Sequence, residues 1–286
     1  MVNKVIAVDL GGTYLRVSLV QNNKILKYIK KPTPKKKKAI IKLLCNCISD
    51  LIFNINKKEL KGIGIGSVGP LTEDGTIKNT PNLPLNNVNF KKILSKKFKI
   101  RTEIENDANC VALAESKLGS AKTKKNFIVL TIGTGIGGGI IIDKKLYKGR
   151  GNAGELGHII LNNSRTFEDL AAAKKHRRIT KRNFSKVLLI NELIEMSKSK
   201  EKQQANKAKM VLSEITLYLG QGIASLINIF DPEVVILAGG VRESGEPFLK
   251  MIKEEVRKYV IFPTVPEIKW SKLRHPGTSG AALLID

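Results

Sequence analysis

Two stretches of this chain, one starting at Lys4 and the other at Phe127, follow a single plan. Each is an apolar β-branched run, a turn built of glycine, a second apolar run, and then a polar turn into a third short run. In the first, Lys4–Asp9 leads through Leu10-Gly11-Gly12-Thr13 into Tyr14–Val20. In the second, Phe127–Ile132 leads through Gly133-Thr134-Gly135-Ile136-Gly137-Gly138-Gly139 into Ile140–Ile142. Such runs read as strands. A hairpin unit written twice points to a duplicated α/β architecture. Glycines at this density let bare backbone N–H groups approach a ligand closely, and a phosphate chain is the natural partner.

The 286 residues suffice for a large core and one or two domains. No apolar segment is expected to span a bilayer, and the N-terminus enters the first strand without signal-peptide architecture, so a cytoplasmic protein with no membrane partner is expected. Cys45, Cys47 and Cys110 are too few for a disulfide framework; the first two lie in a segment of helical spacing and read as buried thiols. The net charge of +25 invites nucleic acid, anionic lipid or polyphosphate as partners. A lysine-biased composition accounts for it more simply. No aromatic residues interleave with the basic runs, so no base-stacking platform is expected. Residues 30–38 read as a solvated linker and Lys174–Arg182 as a solvated helix face, with phosphate steering as its alternative.

Between the hairpins, a helix to about Asn56 precedes a strand at Gly62–Ser67, and a proline-broken loop holds Asn79 and Asn82. A short helix and the strand Thr102–Ile104 then lead into Glu105-Asn106-Asp107-Ala108-Asn109, which opens a helix. Beyond the second hairpin come helices from about Thr166, Phe184 and Glu201, a strand at Glu233–Leu237 ending in Gly239-Gly240, an amphipathic helix at Glu246–Tyr259, and a last helix from Gly277. Gly133, Gly135 and Gly138 formally fit G-x-G-x-x-G, but a strand follows where a dinucleotide site needs a helix. No Gly-Lys-Ser/Thr follows any glycine turn, which excludes a P-loop. Two hairpins remain that can grip a triphosphate from both sides, with Asp9 at a strand end suited to holding Mg²⁺ through water.

Ala7–Arg16 resembles the first phosphate motif of the actin-like sugar kinases. Glu105–Asn109, Gly133–Gly139 and Glu155-Leu156-Gly157-His158 match, in order and spacing, the ROK family (repressors, open reading frames, kinases). Ile63–Pro70 and Thr80–Pro84 are similar to that family's sugar-side loops in the style of archaeal glucokinases. Asp231-Pro232-Glu233 with Leu237–Val241, and Gly277–Ala281, are similar to its adenosine-side segments. The resemblance implies an actin-like (ribonuclease H-like) duplicated two-lobe ATPase fold with the active site in the interlobe cleft. One lobe would comprise residues 1–107 with 275–286 returning to it, and the other 108–274.

The resemblance further implies an ATP-dependent, Mg²⁺-assisted hexokinase of glycolysis, acting on the 6-hydroxyl of glucose. Another hexose or N-acetylhexosamine (N-acetylmannosamine, N-acetylglucosamine, fructose, mannose) is the alternative, and ADP or polyphosphate alternative donors. Asp107 would be the general base, although Asp is also a good helix cap. Asn79, Asn82, Asn106, Asp107, Glu155, His158 and Glu168 would bind the sugar. Asp9, Gly11, Gly12, Thr13, Arg16, Gly133, Thr134, Gly135, Gly137, Gly239 and Gly240 would bind the nucleotide. Many members carry a cysteine cluster after the histidine that binds zinc. Ile159–Glu168 has no cysteine, so no zinc is expected. A homodimer is implied. The family's repressors carry a winged-helix domain ahead of the first phosphate motif; with Asp9 so near the first residue, none is expected here and nucleic acid is not the expected partner.

Overall fold

The structure, a computed structural model, describes residues 4–80 and 83–285. The chain forms two compact units: one holds residues up to Lys122, Leu146–Ala153 and everything from Leu273, and the other holds Thr123–Lys145 and Gly154–Lys272.

In the first unit, β1 (Lys4–Leu10), β2 (Tyr14–Gln21) and β3 (Lys24–Pro32) form an antiparallel meander. Helix α1 (Lys37–Ile52) leads to β4 (Leu60–Ser67), and α2 (Phe90–Phe98) to β5 (Thr102–Asn106). The sheet order is β3-β2-β1-β4-β5, with β1, β4 and β5 parallel. Helix α3 (Asp107–Lys117) follows β5 directly. The apolar residues of β1, β2, β4 and α1, among them Ile6, Leu15, Ile63 and Leu44, are withdrawn from water into one cluster. The first unit therefore runs past residue 107, where the sequence reading ended it, because α3 packs on the returning C-terminal helix (Pro276–Ala282). Glycines permit that approach: a Cβ on Gly64 would lie 1.8 Å from the Ala281 carbonyl oxygen, and one on Gly280 would lie 1.7 Å from that of Cys110.

In the second unit, β6 (Phe127–Ile132), β7 (Ile136–Ile142) and β8 (Lys145–Leu146) precede the small hairpin β9 (Ile160–Asn162) and β10 (Arg165–Thr166). Helices α4 (Phe167–Ala171), α5 (Ala173–Phe184), α6 (Ile190–Ser197) and α7 (Lys202–Phe230) follow, then β11 (Val234–Ala238), α8 (Gly245–Arg257) and β12 (Glu267–Trp270). The sheet order is β12-β11-β6-β7-β8, with β6, β11 and β12 parallel and β7 antiparallel to β6. Read from its other edge, this is the order of the first sheet, so the repeat extends to five strands in each unit.

Three readings are corrected. The expected linker 30–38 begins with β3, which runs to Pro32 in register with Tyr14, and Thr33 is buried. A helix ends rather than begins at Phe184, because Ser185 turns left-handed there (φ 57°). Helix α7 is long and apolar enough to cross a membrane by length and composition. Its apolar residues, Val211, Leu212, Ile215, Leu219 and Ile223 among them, are buried in the second unit's core.

Candidate active site

Sheet register decides which residues of the first unit share an edge. Leu10 of β1 pairs with Ser67 of β4, and Ser67 with Asn106 of β5, so all three parallel strands end at one level. Loops at the carboxyl ends of parallel strands are where α/β sheets bind ligands. The first glycine turn, Ser67-Val68 and Asn106-Asp107 all emerge there.

At that edge Asn106 caps α3, its side chain accepting from the N–H groups of Ala108 at 2.9 Å and Asn109 at 3.2 Å. Asp107 is consequently not needed as the cap; it occupies the first helical position, half-buried, with Oδ1 2.8 Å from the Ala108 nitrogen. Behind it, buried Glu105 accepts from the Asn106 N–H at 2.9 Å and from the Asn109 amide at 3.1 Å, and pairs with Lys148 Nζ at 2.8 Å. Asn152 adds a two-bond clamp to the backbone of Leu71, at 2.8 and 3.0 Å. Lys148 and Asn152 lie on the short segment that returns to the first unit, and neither was singled out from sequence.

On β1, Asp9 Oδ2 accepts from Arg16 Nη1 at 3.0 Å across the register pair Asp9–Arg16. Burial pushes the Asp9 carboxyl above its ordinary range, against the opposing pull of Arg16. The turn after it is held from an unforeseen quarter. The Thr33 hydroxyl donates to the Gly11 carbonyl at 2.8 Å, and the Thr33 N–H to that of Thr13 at 3.0 Å. Thr13 is exposed on this turn. Asn79 is also exposed, left-handed at φ 50°, its N–H 3.3 Å from Asn86 Oδ1. Asn82 lies outside the described residues.

In the second unit, Ala238 pairs with Thr131, which brings Gly239-Gly240 beside the end of β6 and its glycine turn. Gly239 is left-handed (φ 89°), and a Cβ there would lie 2.5 Å from the Ile132 carbonyl oxygen. Thr134 is exposed at the tip of the turn, and Gly137 lies on β7 opposite Thr131. Glu168 Oε2 accepts from the Ile136 N–H at 2.7 Å, and a Cβ on Gly135 would lie 2.2 Å from that same oxygen. Glu168, expected beside sugar, thus also braces the second glycine turn. Glu155 and His158 stand 4.0 Å apart, His158 largely exposed. Burial raises the Glu155 carboxyl above its usual range; His158 pulls it down and Glu168 pushes it up by lesser amounts.

The glycines of these turns fall into two kinds. Gly135, Gly138 and Gly157 each have a protein atom within 2.6 Å of where a Cβ would stand. Gly12, Gly133 and Gly240 have nothing within 4 Å, and their backbone lies outside the left-handed range. The protein's own packing does not require glycine at these three, so close approach of something else is the remaining use for a bare Cα.

Among the described residues no group of three His, Cys, Asp or Glu side chains stands together. Asp9, a half-buried carboxylate at a strand end that shares one oxygen with Arg16, still fits Mg²⁺, which keeps most of its water and takes phosphate oxygens for the rest.

The model of the ROK family matches residues 5–286. A glucokinase of Thermotoga maritima is 32% identical over 311 residues, spanning 99% of this chain and 97% of that protein. A ROK-family glucokinase from Streptomyces griseus, solved in complex with glucose and AMPPNP, superposes with a TM-score of 0.84 at 27% identity over 98% of each chain. A xylose repressor of Caldicellulosiruptor bescii is 30% identical over 282 residues, covering 90% of this chain and 71% of the repressor. The fold is the two-lobed α/β fold of known ROK structures, within the actin-like superfamily. The glucokinases of Thermotoga maritima, Halalkalibacterium halodurans and Streptomyces coelicolor that this chain is similar to are bacterial, which corrects the archaeal style read from the sugar-side loops.

Proposed function

The chain belongs to the ROK family, and on that premise we propose that it is a hexokinase transferring the γ-phosphate of Mg-ATP to the 6-hydroxyl of a hexose, glucose first. The observation that carries this reading is the division of labour at α3: Asn106 takes the capping role and leaves Asp107 as a half-buried carboxylate at a ligand-binding edge. Asp107 accepts the proton of the attacking hydroxyl. Proton transfer of this kind contributes roughly 10²–10⁴-fold.

Asn106, Glu155 and His158 orient the sugar hydroxyls, with Asn79, Asn82 and Glu168 as further candidates. Gly11 and Gly133 close their own turns, their N–H groups donating to the Tyr14 and Gly135 carbonyls at 3.1 and 2.9 Å, and the N–H groups that follow, around Gly12-Thr13 and Thr134-Gly135, take the phosphate oxygens, with Gly137 on the strand beyond. Gly239-Gly240 lies toward the nucleoside. Asp9, oriented by Arg16, holds a water of the Mg²⁺ shell. When bound, Mg²⁺ neutralises charge spread over the phosphate oxygens. Without zinc, Glu155 and His158 rely on each other and on the packing of Leu156 for their placement.

Asp107→Asn should lower kcat with glucose and Mg-ATP by about 10²-fold or more while the KM for Mg-ATP stays put; near-normal turnover would sink the assignment. A panel of glucose, mannose, fructose, N-acetylglucosamine and N-acetylmannosamine at equal concentration identifies the acceptor. The similarity to xylose repressors makes DNA binding the second reading. Sequence-selective binding at physiological salt, without sugar phosphorylation, would favour it.

A further inference from the structure

Two parts of the candidate site in the second unit meet at Ile136, which follows the second glycine turn and opens β7. Its N–H donates to Glu168 Oε2 at 2.7 Å. Its carbonyl faces Gly157, the residue just before His158, so closely that a Cβ on Gly157 would overlap the Ile136 oxygen. Residues assigned to the sugar side therefore hold Ile136 at both its N–H and its carbonyl.

Helix α4, which carries Glu168, is fixed at each end to one of the same two places. At its start the Phe167 N–H donates to the carbonyl of Ile159, next to His158, at 2.8 Å. Past its end the Ala173 N–H donates to the Gly133 carbonyl at 2.9 Å. Thr166 and Asp169 close a capping box on the helix, and the fully buried Phe167 ring lies where a Cβ on Gly222 would stand. The turn 133–136 is thus tied to α4 at its first and last residues, and packed elements of this kind shift together or not at all. Glu168 is half-buried, and among the described residues its hydrogen bond falls on Oε2, which leaves Oε1 for a sugar hydroxyl. Its charge pushes the Glu155 carboxyl up, so it also acts on the sugar side.

We propose that Glu168 is a positioning residue for the second glycine turn, and that through it a bound sugar tightens nucleotide binding. The inference rests on the kinase reading above. Ordering the Glu168 carboxylate and the turn it holds opposes the binding of whichever ligand arrives first. The second ligand meets both already ordered, and positive coupling follows. By linkage the nucleotide tightens sugar binding by the same factor. A residue that only bound sugar would leave nucleotide binding untouched when no sugar is present.

The test measures the affinity for AMPPNP with Mg²⁺ by titration calorimetry, with and without a saturating concentration of whichever sugar of the panel turns over fastest. The wild type should bind AMPPNP about fivefold or more tighter with sugar than without. Glu168→Ala releases the Ile136 N–H; its sugar-free AMPPNP affinity should fall about threefold or more, and its coupling factor should approach one. Glu168→Gln keeps a carbonyl oxygen for that N–H. It should weaken sugar binding while holding sugar-free AMPPNP affinity within about twofold of wild type. Glu155→Gln changes the sugar side and leaves the Ile136 bond in place, so at saturating sugar it should keep the wild-type factor. A wild-type factor within about twofold of one overturns the proposal. So does a Glu168→Ala protein that keeps both its sugar-free affinity and its coupling, and so does an equal loss of sugar-free affinity in Glu168→Gln and Glu168→Ala. In each of these cases a protein that still phosphorylates sugar retains the kinase reading. A wild type that phosphorylates no sugar of the panel loses that reading and this inference together.

Discussion

Replacing Gly133 by alanine separates what the second glycine turn does for the fold from what it does for a ligand. A Cβ at Gly133 meets nothing within 4 Å, and its backbone lies outside the left-handed range. Gly→Ala at such a position narrows the unfolded ensemble and should stabilise by about 0.4–1 kcal/mol, a rise in Tm of roughly 1–4 °C for a protein of this size. On the proposed reading the same methyl crowds a phosphate held by the N–H groups that follow, the Gly133 N–H itself being bonded to the Gly135 carbonyl at 2.9 Å. Losing one hydrogen bond to a charged group costs about 1.5–3 kcal/mol, roughly 10- to 100-fold in the KM for Mg-ATP, with the sugar KM unchanged. Gly135→Ala supplies the contrast. Its Cβ would stand 2.2 Å from Glu168 Oε2, so the carboxylate must swing away and give up its 2.7 Å bond to the Ile136 N–H. That should lower stability by about 1–3 kcal/mol. Calorimetric Tm values and initial rates at varied Mg-ATP decide the matter. A Gly133→Ala protein that keeps its KM for Mg-ATP within about twofold would refute the idea that an unneeded glycine marks a phosphate contact.

Thr33→Val removes the hydroxyl that holds the Gly11 carbonyl while keeping the shape; Mg-ATP KM should rise a few-fold and stability fall by about 0.5–1.5 kcal/mol, both read in the assays above. The raised carboxyl of Glu155 favours the protonated form in the folded state, so its stabilising contribution is present below the unfolded-state pKa and is lost as pH rises through the folded one. Glu155→Gln should therefore raise Tm at pH 8 relative to wild type and leave it nearly unchanged at pH 4, while weakening sugar binding; a uniform shift at both pH values would contradict the sign. Lys148→Met strands the buried Glu105 carboxylate and should cost about 1–3 kcal/mol. It should also lower kcat more than it raises either KM, because Glu105 holds the loop that carries Asp107; Lys148→Arg should recover most of the loss.

The hairpins were legible because glycine between β-branched runs has few other meanings, and so was the helix opening at Glu105–Asn109; its cap was not, because Asp107 looked the better capping residue whereas the side chain that accepts from the first turn is that of Asn106. What escaped was every contact made across long sequence separations. Thr33 sat in a lysine- and proline-rich stretch whose composition spoke of solvent, although its pairing with Thr13 makes it part of the turn. Glu168 could be matched to a sugar-side motif, but its bond to Ile136 spans 32 residues and follows no local pattern. The Lys148–Glu105 and Asn152–Leu71 links depend on a segment returning to the first unit for eight residues, and nothing in Leu146–Ala153 announces such an excursion.

The return of the C-terminal helix also bears on how the protein is made. The first unit's strands leave the ribosome early, yet the helix that closes over Val5, Ala7 and Cys110 starts at Pro276. At a synthesis rate of about 5–20 residues per second, the gap from Lys122 to Leu273 keeps that apolar face waiting for roughly 8–30 s. During this interval the second unit's strands and helices emerge and can close first. A transcript truncated before Pro276 would release a chain whose later-made half is folded and whose earlier-made half has an uncovered face, a substrate for chaperones and proteases rather than a weakened enzyme.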